Sequence, residues 1–379
     1  MRFRNMKYYI IAGEASGDLH GSNLINALQL EDTHAEIRCW GGDKMREAGA
    51  VLVKHYRDLA FMGFTEVLMN LKTILNNLSF CKKDILAYSP DVLILVDYPG
   101  FNLRIAEWAH EQGIKVIYYI SPQVWAWKEN RVKIIKRCVD KMLVILPFEK
   151  AFYQQWDYPV EYVGHPLLEV IDRFKKENST TALHFTGGKK IIALLPGSRK
   201  QEILKKLPVM LEVSRQFQDY QFVVAKAPGL DASFYDQLLS PYPHVQSVVN
   251  QTYELLSVSA AALVTSGTAT LETALFGVPE IICYKGNPVS YRIAKMLVNI
   301  KYIGLVNLIM DKEVMKELIQ HDLTVENLSA ELKKILEDKT RQQEMAKDYE
   351  RLREILGQGG NASVNAAKII SRFLNPSSL

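Results

Sequence analysis

At 379 residues the chain is longer than one ordinary compact core, and two domains are the natural division. An apolar fraction of 48% with 23% charged residues excludes disorder as the main state, and a net charge of +4 is far too small for a nucleic-acid-binding composition, though it leaves anionic partners open. Four scattered cysteines, Cys39, Cys81, Cys138 and Cys283, with no CxxC pair, exclude a disulfide scaffold and fit a reducing cytoplasm.

At the N-terminus, Tyr8 to Ala12 is too short for a signal segment and meets Glu14 at once, so it reads as a first strand. No apolar run approaches the roughly 18 residues that a membrane-spanning helix needs, which makes any membrane contact peripheral. Short β-rich runs follow at EIRCW (Glu36), VLILV (Val92), KVIYYI (Lys115) and MLVIL (Met142), separated by helical patterns. This is the rhythm of βα units around a parallel sheet. The polar stretch from Asp172 to Lys190 reads as a linker. The rhythm then restarts at IIALLP (Ile191), QFVVAK (Gln221), HVQSVV (His244), AALVT (Ala261) and EIICY (Glu280). From Thr324 onward the pattern is helical, with Asn361 and Ser363 as candidate caps of the last helix. The expected fold is α/β, two Rossmann-like domains whose parallel sheets face a central cleft.

Several turns could carry chemistry. Gly13 to Asp18 (GEASGD) joins a strand to a helix, where small residues and helix-start amides suit an anion; a plain βα turn capped by Asp18 is the alternative. Asp97 ends the buried VLILV strand, as a general base or as a cap of the following helix. The run Ser121 to Lys128 sets Trp125 and Trp127 beside Arg131, Lys133, Lys136 and Arg137, which suits an acidic amphiphile, or else a core with a solvated basic face. Phe61 to Leu71 is apolar enough to meet acyl chains, or to form a buried helix or dimer surface. In the second half, Gly197, Ser198 and Arg199 end one strand, and Ser266, Gly267 and Thr268 end another. Both turns suit a diphosphate, and Glu272, one turn into its helix, can reach ribose hydroxyls. The chain has no DxD triplet, HExxH, Walker A loop or GxSxG elbow, so leaving-group charge falls to Arg, Lys and helix-start amides rather than to a cation.

Taken together, GEASGD at Gly13, MGFTEVL at Met62, VDYPGFN at Val96, SPQVWAWKENRV at Ser121, LPFEKAFY at Leu146, VGHPLLE at Val163, LLPGSRKQEI at Leu194 and SGTATLETALFGVP at Ser266 resemble the lipid-A-disaccharide synthase family of Gram-negative bacteria. The resemblance implies a GT-B glycosyltransferase. Its acceptor domain would span 1–170, with 356–379 packing back on it, and its donor domain 188–355. It further implies an inverting transfer from UDP-2,3-diacylglucosamine to 2,3-diacylglucosamine 1-phosphate (lipid X), which gives UDP and the β-1,6-linked lipid A disaccharide 1-phosphate. Inversion needs one in-line attack and one base, assigned to Asp97.

By the same resemblance, UDP is held by Gly197, Ser198, Arg199, Glu202, Ser266, Gly267, Thr268, Glu272 and Tyr284, completed by Asn307, Glu317 and Gln320. The acceptor is held by Glu14, Ser16, Gly17, Asp18, Asn102, Ser121, Gln123 and Trp125. Phe61, Met62, Phe64 and Leu68 would touch acyl chains or lipid. No cofactor or metal is expected, and the site of action is the cytoplasmic face of the inner membrane. A homodimer is expected, with Asn361 to Leu374 crossing to the N-terminal domain or to a partner chain. The chain departs from the family pattern at Gly100, often Asp, and at Val306, usually Pro; the first leaves Asp97 the only acid of its turn.

Two other classes compete. A UDP-sugar 2-epimerase would need the Ser266 and Glu272 region but neither apolar feature, whereas a lipid carrier would need the apolar features but not Arg199 and Glu272.

Overall fold

The computed structural model describes residues 5–59, 71–126, 129–177, 188–227, 230–286 and 301–375. They form two compact units, one holding the chain up to Pro166 and again from Leu356 on, the other Leu167–Ile355.

In the first unit β1 (Lys7–Ala12), α1 (Ala15–Glu31), β2 (Glu36–Gly41), α2 (Asp43–Glu47), β3 (Val51–His55), α3 (Leu71–Tyr88), β4 (Val92–Val96), α4 (Pro99–Glu111), β5 (Val116–Tyr119), α5 (Arg131–Cys138), β6 (Lys141–Val144), α6 (Pro147–Gln154) and β7 (Glu161–Tyr162) follow one another. In the second come α7 (Pro166–Glu177), β8 (Lys190–Leu195), α8 (Lys200–Ser214), β9 (Tyr220–Lys226), α9 (Ala232–Leu239), β10 (Gln246–Val249), α10 (Thr252–Ser257), β11 (Ser259–Thr265), α11 (Thr268–Phe276), β12 (Glu280–Tyr284), α12 (Leu305–Met310), β13 (Glu317–Ile319), α13 (Val325–Glu337) and α14 (Lys339–Gly357). The closing helix α15 (Ala362–Leu374) belongs to the first unit.

The first sheet runs β3-β2-β1-β4-β5-β6-β7, the second β10-β9-β8-β11-β12-β13, and their paired strands are parallel. Strand side chains alternate between faces, so each run buries two sets at once. Tyr9, Ile11, Leu93, Leu95 and Tyr118 pack on one face with Cys81, Ile85, Ile105 and Ile135 of α3, α4 and α5. Tyr8, Ile10, Ile94 and Ile117 pack on the other with Leu24, Ile25 and Leu28 of α1 and Ala366, Ala367 and Ile370 of α15. Each fully buried aliphatic side chain contributes about 1.5–3 kcal/mol. The order reverses between β1 and β4 and again between β8 and β11, and open α/β sheets bind ligands outside the carboxyl ends at such points.

The structure corrects several sequence expectations. Strands β3, β7 and β13 were not anticipated. The stretch from Asp172 is not a linker at its start: α7 continues to Glu177, because Phe174 packs edge-on against Tyr253 and Phe276 while the charged residues stay outside. Asn361 does cap α15, its Oδ1 accepting the Val364 amide at 2.8 Å, but Ser363 lies buried inside that helix. Among the described residues no helix is long and apolar enough to cross a membrane.

One buried group sits at odds with its surroundings. Glu280 opens β12 fully buried, and neither carboxyl oxygen has a hydrogen-bond partner among the described residues. Burial pushes its pKa well above the usual carboxylate range. The folded chain therefore holds this proton more tightly than the unfolded one. The resulting stability is fully present below about pH 4.3 and is lost as pH rises towards the folded value. Glu280→Met is expected to raise stability by about 1–3 kcal/mol at pH 8 and by less at pH 5, read from urea midpoints. An equal change at both pH values would refute the account.

Candidate active site

At the switch point of the first sheet, β1 delivers Gly13 and Glu14 while β4 delivers Asp97. Asp97 and Tyr98 both take left-handed backbone conformations, φ 45° and 50°, which side chains other than glycine adopt only when the surroundings compel it. Here two donors compel it: Asn102 Nδ2 reaches the Asp97 carbonyl at 2.7 Å and the Tyr118 hydroxyl reaches it at 2.5 Å. The Tyr98 ring lies over Gly13, where a Cβ would come within 2.3 Å of it, so only glycine fits there. Burial, then the charge of Glu14, raises the Asp97 carboxyl to about 7, with the Tyr98 amide pulling the other way. A carboxyl near 7 can exchange a proton at neutral pH. The capping alternative for Asp97 is not realised, since Tyr98 precedes α4 with no side-chain cap.

The GEASGD turn is shorter than expected. The helix begins at Ala15, and Asp18 is not its cap: the buried carboxylate of Asp18 accepts the amides of Gly42, Lys44 and Met45 at 2.7–3.2 Å and so caps α2. Gly17 is also buried, against Ala12, so of the expected acceptor residues in this turn only Glu14, half-buried, and Ser16, exposed, remain accessible. Asn102, expected on the acceptor, is instead wholly buried beneath the Asp97 turn. Ser121 is buried with its hydroxyl 2.8 Å from that of Tyr153, Gln123 is exposed, and Trp125 is half-buried edge-on to Phe148.

Glu149 was missed although LPFEKAFY was noted. It lies fully buried under this loop with Oε2 on the Ile145 and Leu146 amides, and burial raises its carboxyl to about 7 while those amides, Trp125 and Ser121 pull it down. Trp127 and Lys128, like Phe61, Met62, Phe64 and Leu68, lie outside the described residues.

At the second switch point, Gly197, Ser198, Arg199, Glu202, Ser266, Gly267, Thr268 and Glu272 line one cavity of about 400 Å³, together with Lys226, Thr252 and Thr265, which sequence reasoning did not assign. The starts of α8 and α11 open onto it, and their free amides supply positive potential. Gly197 has φ 114°, and a Cβ there would come within 2.7 Å of Glu202. Arg199 stands 3.6 Å from Glu202, which itself stands 3.9 Å from the buried Lys206. One Glu272 oxygen accepts the Tyr253 hydroxyl at 2.8 Å, and burial raises the pKa of that carboxyl.

Four expected donor residues do not line this cavity. Glu317 accepts the Ile303 and Gly304 amides and Asn307 Nδ2 at 2.9–3.0 Å, and Asn307 Oδ1 takes the Val314 and Met315 amides. These bonds anchor α12 to β13 and occupy both side chains. Tyr284 has Lys206 Nζ 6.0 Å from its ring centroid, and Gln320 adopts φ 54°. Among the described residues no cluster of His, Cys, Asp and Glu could hold a metal ion.

A family model described as lipid-A-disaccharide synthetase matches residues 8–371. The chain is 38% identical over 378 residues to the lipid-A-disaccharide synthase of Trichlorobacter lovleyi, covering 97% of this chain and 98% of that protein. To that of Syntrophus aciditrophicus it is 41% identical over 375 residues, covering 96% and 97%. Among solved structures it resembles the UDP-GlcNAc 2-epimerase from Neisseria meningitidis bound to UDP-GlcNAc, with TM-score 0.68 and 15% identity over 98% of this chain and 100% of that one. CalG4, the calicheamicin glycosyltransferase, matches with TM-score 0.62 and 14% identity over the whole of both chains. At these identities the two structures share the fold alone, that of GT-B glycosyltransferases and epimerases.

Proposed function

We propose, from the premise that the chain belongs to the lipid-A-disaccharide synthase family, a division of labour between its two switch-point sites. The enzyme is a glycosyltransferase that forms the lipid A disaccharide. The first unit holds the acceptor and supplies its base. The acceptor 6-hydroxyl attacks the anomeric carbon of UDP-2,3-diacylglucosamine in line with the departing UDP; the new C–O bond forms as the bond to the diphosphate breaks, and the anomeric configuration inverts. Asp97 takes the hydroxyl proton, and the electron pair leaves with the β-phosphate of UDP.

The second unit holds the donor. The amides opening α8 and α11 and the Arg199 fork receive the diphosphate, while the open oxygen of Glu272 receives a ribose hydroxyl. These groups offer enough positive potential for UDP to leave without a cation, so turnover should persist in excess chelator. Glu14 and Ser16 face the acceptor, with Gln123 and Trp125 on the neighbouring loop. The observation that carries the reading is the cavity bounded by two helix starts with Arg199 and Glu272 on its wall. Incubation with UDP-diacylglucosamine and the acylated sugar phosphate tests it: UDP release with disaccharide is expected, and isomerisation of the UDP-sugar or binding alone would overturn it.

Both substrates carry acyl chains, so the apolar stretch containing Phe61, Met62, Phe64 and Leu68 is the element to meet a lipid surface. Changing Phe61 and Phe64 to Ser should reduce flotation with liposomes; unchanged flotation would count against membrane contact there.

A further inference from the structure

Lys206 and Thr265 play no part in the mechanism above, yet they adjoin the donor cavity. Lys206 lies on α8, one turn beyond Glu202, and is 3% exposed. Its Nζ donates to Thr265 Oγ1. Burial lowers its pKa, and the Glu202 carboxylate at 3.9 Å partly restores it. Thr265 ends β11, lines the cavity, and carries its methyl 3.4 Å from where a Cβ on Gly197 would stand. It therefore sits where the turn after β8 meets the turn after β11.

The chemistry of the pair fixes a direction. An ammonium has only donors, so the Thr265 oxygen must accept and its own hydrogen is turned away from Lys206. The neighbouring hydroxyls of Ser266 and Thr270 are already spent, on the carbonyls of Ile303 and Gly267 at 3.0 and 2.8 Å. Thr265 donates no such bond among the described residues.

We propose that Thr265 is a donor-binding residue whose hydroxyl, oriented by Lys206, gives a hydrogen bond to a diphosphate oxygen of the nucleotide sugar. This rests on reading the cavity as the UDP-sugar site. Lys206 touches no substrate and is a positioning residue: it sets the hydroxyl's direction, and through Glu202 it adjoins the carboxylate that faces Arg199 at 3.6 Å.

Calorimetric titration of the full chain with UDP tests the proposal. Thr265→Val, which keeps the branched shape, should weaken UDP about tenfold, while Thr265→Ser should keep wild-type affinity. Lys206→Met should weaken UDP by a similar factor in the wild type but add little in the Thr265→Val background, because the two residues act through one hydroxyl. Full UDP affinity in Thr265→Val, or simple additivity of the two changes, would overturn the proposal. Should Lys206→Met fail to fold, the contrast between Val and Ser at Thr265 decides alone. A wild-type chain that binds no UDP would instead sink the reading of the cavity itself.

Discussion

Asp97→Asn is expected to lower kcat by about a hundred- to ten-thousand-fold while leaving UDP affinity unchanged, because it removes the proton acceptor without disturbing the second unit. Asparagine keeps the size of the side chain, and the Asp97 carbonyl keeps its bonds to Asn102 and Tyr118, so the turn should persist. A base must be ionised to work. With the carboxyl raised to about 7, kcat/KM should rise with pH up to that value and level off above it. Glu14 contributes to the raised value by its charge, so Glu14→Gln should move the acidic limb to lower pH. Retained turnover in Asp97→Asn, or a limb that stays in place without Glu14, would contradict the assignment.

Arg199→Ala should reduce kcat/KM for the UDP donor by about a hundred- to a thousand-fold, with little effect on the KM of the acceptor. The guanidinium stands at the mouth of the cavity, where α8 begins, and faces the charge that grows on the leaving diphosphate. Removing it also leaves Glu202 facing that anion without its neighbour at 3.6 Å. Arg199→Lys should recover only part of the loss, since an ammonium cannot reproduce a two-pronged grip on phosphate oxygens. Steady-state kinetics with each substrate varied in turn separates the outcomes, and an unchanged donor term would remove Arg199 from the mechanism.

Much of this was legible in the sequence because parallel strands buried on both faces leave dense apolar runs, and VLILV or IIALLP can hardly be anything else. The turns after those runs were readable for the same reason: a strand's end fixes where its loop opens, so Asp97 and Gly197 could be placed from chain order alone. Short edge strands were not. Residues Glu161–Tyr162 and Glu317–Ile319 are two and three residues long, too few for an alternating pattern to register. Nor could spacing tell which way a polar side chain turns. Asp18 and Glu14 look alike in GEASGD, yet Asp18 lies buried inside α1 with its carboxylate on the amides of α2, while Glu14 stays half-buried in extended backbone just before that helix. Asn307 and Glu317 came only from the family resemblance, as donor residues, and nothing in it showed that they engage each other. Lys206 gave a faint signal, four residues after Glu202 on one helix face, but its burial depends on a strand about sixty residues further on.

The return of α15 to the first unit has a consequence for biosynthesis. Ala366, Ala367 and Ile370 cover Leu24, Ile25 and Leu28, residues made more than three hundred positions earlier. While the ribosome is still at work, that flank of α1 stays bare through the whole of the second unit's synthesis, although nascent domains ordinarily close in order of emergence. Messages cut short, or chains clipped near Gly357, would release a protein with its oldest helix still uncovered, a ready target for chaperones and proteases.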